Sequence, residues 1–110
     1  MEISTRLAYG VLVVDMKGRL DSRTSGYSYD ELVRIAKGDN KQVLVNLAEL
    51  EFLTSAGLRS LLVAAKLLQG SGGILKLCDA NESVKQVLET AGFASLLHLY
   101  PTEAEAIKSF

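Results

Sequence analysis

Asn46-Leu47-Ala48-Glu49-Leu50-Glu51-Phe52-Leu53-Thr54-Ser55-Ala56-Gly57-Leu58-Arg59 is the stretch on which the fold turns. Its first residues close the run Lys41 to Leu47, β-branched and apolar, which reads as a buried central strand. Ala48 to Leu53 reads as a connection. From Ser55 to about Gln69 the apolar spacing becomes helical, with Leu58, Leu61, Leu62, Ala65 and Leu68 on one core stripe. A strand that runs through a connection into a helix is the repeating unit of an α/β domain.

The flanks repeat the unit. Ile3 to Ala8 and Val11 to Met16 read as two strands joined at Tyr9-Gly10, a hairpin or an adjacent pair, with Gly18-Arg19-Leu20-Asp21 ending the second. Between Ser22 and Lys37, Tyr29, Leu32, Val33 and Ala36 fall at i, i+3, i+4 and i+7, which predicts a helix stopped by Gly38-Asp39-Asn40. Gly70-Ser71-Gly72-Gly73 ends the helix that starts at Ser55, and a strand follows to Cys78. Asn81 can cap a third helix carrying Val84, Val87, Leu88 and Ala91 on one face, with Gly92 at its end. A strand from Leu96 to Tyr100 and a terminal helix from Glu103 to Lys108, opened by Pro101-Thr102, complete the order β-β-α-β-α-β-α-β-α. The expected architecture is a single α/β domain over residues 1–110, a mixed and mostly parallel sheet packed by about four helices.

Composition narrows the function. A formal charge of -1 without a basic cluster argues against nucleic acid as partner. No apolar run approaches the roughly 20 residues a membrane span needs, so no membrane insertion is expected. Met1-Glu2-Ile3-Ser4 lacks the pattern of a signal peptide, which points to the cytoplasm. One Cys (Cys78) and one His (His98) make neither a disulfide nor a typical zinc site, and each has a plain reading, a buried thiol and a solvent-facing ring. No phosphate-binding Gly motif lies between a strand and a helix, because Gly70 to Gly73 stands in the opposite order. A Ser55-His98-Asp triad lacks the nucleophile elbow. A phospho-acceptor Asp site would want an acidic cluster at strand ends and a Lys on a late strand, whereas Asp15 and Asp21 are the only early strand-associated acids and the last strand has no Lys. The expectation is no enzyme, no cofactor and no metal.

Thr54 and Ser55 remain as two hydroxyls at a helix start. Either can be the N-cap, accepting a bond from a free backbone N–H. The same end of a helix tolerates an anion, so a phosphoryl group on Ser55, adding roughly -1.5 to -2 charges, would leave the fold standing and repel a partner packed over that corner. On the helix itself, Ala56, Ser60, Val63 and Leu67 fall opposite the core stripe with Arg59 beside them. Val63 and Leu67 are apolar where a solvated face would be charged, so another element or a partner covers them.

At these residues the sequence resembles the STAS domain family, in particular the stand-alone anti-sigma factor antagonists of bacteria. The resemblance spans nearly the whole chain and is sharpest at Gly18-Arg19-Leu20-Asp21, Val43 to Leu47 and Phe52 to Arg59, with fainter echoes at Gly72-Gly73 and Ala91-Gly92-Phe93. It implies partner switching. The unphosphorylated antagonist binds an anti-sigma factor that is also a serine kinase, and the sigma factor is freed. Phosphorylation, expected on Ser55 with Thr54 as the alternative, ends binding, and a serine phosphatase resets the cycle. Many such antagonists carry Asp where Thr54 stands. Asp21 matches a family acid near the acceptor and the kinase. The partner-binding set expected is Asp21, Thr54, Ser55, Ala56, Gly57, Arg59, Ser60, Val63 and Leu67, on a monomer or weak homodimer. The other role open to such a domain is a constitutive scaffold or subunit of a stress-signalling or lipid-transport complex, without phospho-switching.

Overall fold

The computed structural model describes residues 1–90 and 98–110. The expectations at Ala91, Gly92, Phe93, Leu96 and Leu97 lie outside the described residues. Strands β1 (Glu2–Ala8) and β2 (Val11–Leu20) form an antiparallel hairpin. Tyr9 and Gly10 both have positive φ, 53° and 79°, as a two-residue loop between twisted strands demands. Helix α1 (Ser25–Ala36), β3 (Gln42–Leu53), α2 (Ser55–Gly70), β4 (Ile74–Cys78), α3 (Glu82–Thr90), β5 (His98–Tyr100) and α4 (Glu103–Lys108) follow. The sheet runs β1-β2-β3-β4-β5, and β2 to β5 are parallel.

Because the parallel strands are laid down in spatial order, right-handed crossovers send α1, α2 and α3 to the same face. Val14, Met16, Val43, Val45, Leu75 and Leu77 point there and pack with Leu32, Leu61, Leu68, Val84 and Leu88. Val11, Val13, Leu44 and Cys78 point the other way, onto Ala106 of α4. Cys78 is fully buried, which pushes its thiol pKa up, and His98 is exposed.

A six-residue helix has little stability alone, so tertiary bonds must hold α4. Arg6 of β1 pairs with Glu103 and, at 2.8 Å, with Asp15, while Asn46 Nδ2 donates to Glu103 Oε1 at 2.9 Å. At the other end buried Lys76 donates from Nζ to the Ser109 carbonyl at 2.8 Å and lies over the Phe110 ring, 4.6 Å from its centroid.

Two expectations about elements need correction. The stretch from Ala48 to Leu53 is strand, since β3 continues beside β2 as far as the Leu20–Leu53 pair. Register shifts between Asp15 and Lys17 and between Gly18 and Arg19 break the alternation, so burial falls on Leu47, Leu50 and Leu53, every third residue, and the period of two is lost. In α1 the core face is Ser28, Leu32, Ile35 and Ala36, and Tyr29 is 44% exposed. Asn81 caps α3 as expected, accepting from Val84 N–H at 2.8 Å, and its Nδ2 ties the helix to the Leu50 carbonyl at 3.1 Å.

Candidate functional site

In parallel sheets the loops that leave the carboxyl ends of the strands carry the site. Here β2 and β3 end side by side at Leu20 and Leu53, and the next residues turn into α1 and α2. The Leu20 carbonyl accepts the Thr54 N–H at 3.0 Å and the Thr54 hydroxyl at 3.4 Å. Thr54 is extended (φ -104°, ψ 167°), and its Oγ1 accepts the Gly57 N–H at 3.3 Å. Thr54 is therefore the N-cap of α2, and the capping role open to Ser55 is taken by its neighbour. Ser55 is the first helical residue, and it is exposed.

The face of α2 that meets the core differs from the one its leucines suggest. Gly57, Leu58, Ser60, Leu61, Ala64, Ala65 and Leu68 are buried, while Leu62 is only partly so. The burial has rotated toward Ser60 and Ala64 because α1 packs along that flank. Ser60, expected on the outer face, is 2% exposed. Its hydroxyl donates to the Gly57 carbonyl at 2.7 Å and accepts from Ser28 Oγ of α1 at 2.9 Å. With its one proton spent on Gly57, Ser60 can only accept from Ser28. Gly57, also expected to meet a partner, is buried against the end of β2. A Cβ there would stand 2.7 Å from the Leu20 carbonyl oxygen, so only glycine lets α2 start so close to the sheet. Ser60 and Gly57 hold the corner together from within and cannot present it. Farther along, Val63 is half-buried and Leu67 is 38% exposed.

A shallow groove of about 500 Å³ lies between the first turns of α1 and α2, lined by Ser25, Gly26, Tyr29, Ser55, Ala56 and Arg59, with the buried Ser60 beneath them. Ser55 and Arg59 are one turn apart on the same helix face. Arg59 makes no ion pair among the described residues. Asp21 stands on the adjoining loop. Its Oδ1 accepts the Arg23 N–H at 2.9 Å, and Thr24 pins the turn by accepting the Asp21 N–H at 3.0 Å and donating to the Arg19 carbonyl at 2.8 Å.

Two further residues at this corner escape a reading by period. Arg19 and Phe52 are partners in the β2–β3 register, and the guanidinium carbon sits 4.6 Å from the ring centroid of a side chain that is 36% exposed. Parallel pairing of the two strand ends is the signal that finds them. The arrangement offers a hydroxyl, a cation and an aromatic–arginine stack, and among the described residues no general base is set against Ser55. Among the described residues there is also no cluster of His, Cys, Asp and Glu that could hold a metal, and no helix long and apolar enough to cross a membrane.

Comparison with known proteins gives a consistent match. Residues 2–106 match the family described as STAS domain. The chain is 31% identical over 101 residues to an anti-sigma F factor antagonist of Paenibacillus polymyxa, covering 89% of this chain and 85% of that protein. Among solved structures, an anti-sigma factor antagonist from Mycobacterium paratuberculosis superposes with a TM-score of 0.90 at 21% identity, covering 98% of this chain and 92% of that one. The anti-sigma factor antagonist SpoIIAA in its unphosphorylated form gives 0.79 at 20% identity over 98% of this chain and 95% of that one. Bacillus SpoIIAA in the phosphorylated form gives 0.71 at 19% identity over 98% of both chains. At these identities the structural likeness speaks for the fold.

Proposed function

Because the chain belongs to the STAS domain family, we propose that it is an anti-sigma factor antagonist working by partner switching in the cytoplasm, with Ser55 as the phosphorylated residue. The unphosphorylated form binds an anti-sigma factor with serine kinase activity, phosphorylation of Ser55 ends the complex, and a serine phosphatase restores it. The protein itself catalyses nothing in this cycle.

One observation carries the reading. Thr54 caps α2, which leaves the exposed Ser55 hydroxyl outside the bonds that hold the helix. A kinase can modify it without taking a bond from the fold. Thr54 is the poorer acceptor, because its part-buried oxygen already serves Gly57 and Leu20. A phosphoryl group on Ser55 adds charge where the free N–H groups of the first turn and Arg59 stabilise it within this chain. The same charge falls on any partner surface seated over the groove. Arg59, Tyr29 and the Arg19–Phe52 stack supply the anchors of that surface, since arginine and tyrosine are among the residue types that dominate binding energy in interfaces, and Asp21 and Ala56 border them.

The test is phosphorylation by the serine kinases of the same genome with ATP, followed by peptide mapping. Phosphate on Ser55, absent in Ser55→Ala, is the expected result, and Ser55→Asp should weaken kinase binding about tenfold or more by setting a charge against the interface while the circular dichroism spectrum is unchanged. Phosphate found only at other residues, or equal kinase affinity of Ser55→Asp and wild type, would refute the assignment. Recovery of a stress-signalling or transporter assembly without any kinase would move the chain to the scaffold role.

A further inference from the structure

β1 is an edge strand of the sheet, and among the described residues nothing pairs with its outer side. Five of its seven residues are exposed (Glu2, Ser4, Thr5, Arg6 and Leu7). Natural edge strands are blunted by proline, charged side chains, bulges or short length. β1 has no proline and no bulge, its pairing with β2 is unbroken over seven residue pairs, and its two charges, Glu2 and Arg6, are of opposite sign. The edge is regular enough to accept another strand.

The two faces of β1 show which strand. Glu2, Ser4 and Arg6 share the face toward α4, since Arg6 bonds Glu103. Ile3, Thr5 and Leu7 share the other, where Ile3 packs against the core and Leu7 is 71% exposed. On the α4 face a row of charges crosses the sheet. Glu49 lies opposite Lys17, with 3.8 Å between their charged atoms, and Lys17 lies opposite Glu2. The row reads minus, plus, minus and stops at the open edge. A cation is the next charge it calls for.

We propose that β1 pairs antiparallel with β1 of a second copy about a two-fold axis through Ser4, so that two five-stranded sheets become one. In that register Glu2 of each copy faces Arg6 of the other. Arg6 continues the alternation, and its own carboxylate partners, Asp15 and Glu103, extend it further. The same axis sets Met1 of each copy against Leu7 of the other on the opposite face and Ile3 against Thr5, covering the exposed Leu7. A shift to an axis through Thr5 would leave Glu2 opposite Ala8 and Arg6 opposite Ser4, with no charge matched across the seam. One short strand pair buries less area than a standard stable interface, so the dimer is weak and depends on concentration. Cross-strand charge pairs and an excluded wrong register supply its specificity.

Cysteine cross-linking of the full chain tests both the dimer and the register. Residues directly opposite in an antiparallel pair have Cα atoms about 4.5–5.5 Å apart, within disulfide reach. Ser4→Cys should therefore form a covalent dimer under mild oxidation, in preference to Thr5→Cys and Leu7→Cys, with buried Cys78 a bystander. Sedimentation over a concentration series reaching the millimolar range should show a reversible dimer, and Glu2→Arg should weaken it about tenfold. Preferential cross-linking of Thr5→Cys would overturn the register. A monomer at every concentration, or a dimer that Glu2→Arg leaves unchanged, would overturn the proposal.

Discussion

Gly57→Ala sets two physical effects against each other, and the structure predicts which prevails. In the interior of an exposed helix, alanine is worth about 1 kcal/mol over glycine, so propensity alone forecasts a more stable protein. The new Cβ would however lie 2.5 Å from Leu20 Cγ and 2.7 Å from the Leu20 carbonyl oxygen. Leu20 is fully buried, and its carbonyl accepts the Thr54 N–H at 3.0 Å. Backbone cannot swing away as a side-chain tip can. α2 must retreat, and the bond that ties its cap to β2 stretches with it. Overpacking of this kind costs about 1–3 kcal/mol, and a weakened buried hydrogen bond adds about 1 kcal/mol. After the gain in propensity the net loss is about 1–3 kcal/mol. At about 4 °C per kcal/mol for a domain of this size, the melting temperature should fall by about 4–12 °C. Gly70, at the end of the same helix, is open: a Cβ added there would meet no atom within 4 Å. Gly70→Ala should hold or raise stability. Urea denaturation of both variants, compared at equal m, measures the two signs. A Gly57→Ala protein as stable as wild type would refute the packing of α2 on the end of β2.

The capping assignment predicts that Thr54→Ala loses about 1 kcal/mol, whereas Ser55→Ala stays within about 0.5 kcal/mol of wild type; thermal denaturation with equal losses in both would undo it. On the other face of the sheet, hydrogen bonds from Arg6 hold the Glu103 carboxyl below its ordinary value of 4.5. A depressed carboxylate contributes stability above its unfolded pKa and loses it as pH falls through the folded value. The advantage of wild type over Glu103→Gln should thus be full at neutral pH and shrink below about pH 4.5, and a gap that persists into strong acid would count against the Arg6–Glu103 tie.

The parts of this protein legible in its sequence are those encoded within one turn or one strand. The order of elements, the Tyr9-Gly10 hairpin, the Asn81 cap and the start of α2 rest on dihedral preferences and hydrogen bonds that span a few residues. The family resemblance at Phe52 to Arg59 belongs here too, and it points to Ser55 from the residues alone.

Tertiary structure decided what depends on neighbours distant along the chain. Whether Thr54 or Ser55 caps α2 turned on the Leu20 carbonyl, 34 residues away, which orients the threonine. Ser60 became interior because α1 lies on that flank and brings Ser28 to it, a contact across 32 residues that no helical wheel contains. Ala48 to Leu53 became strand because β2 runs beside it, bulges included, and supplies hydrogen bonds that its broken alternation could not announce. A residue's local conformation is set by its nearest neighbours, and its exposure by whatever packs against it. The sequence alone located the helix start at Ser55, and only the packed fold determined that its hydroxyl stands free while the hydroxyls on either side of it, at Thr54 and Ser60, are spent on holding the corner together.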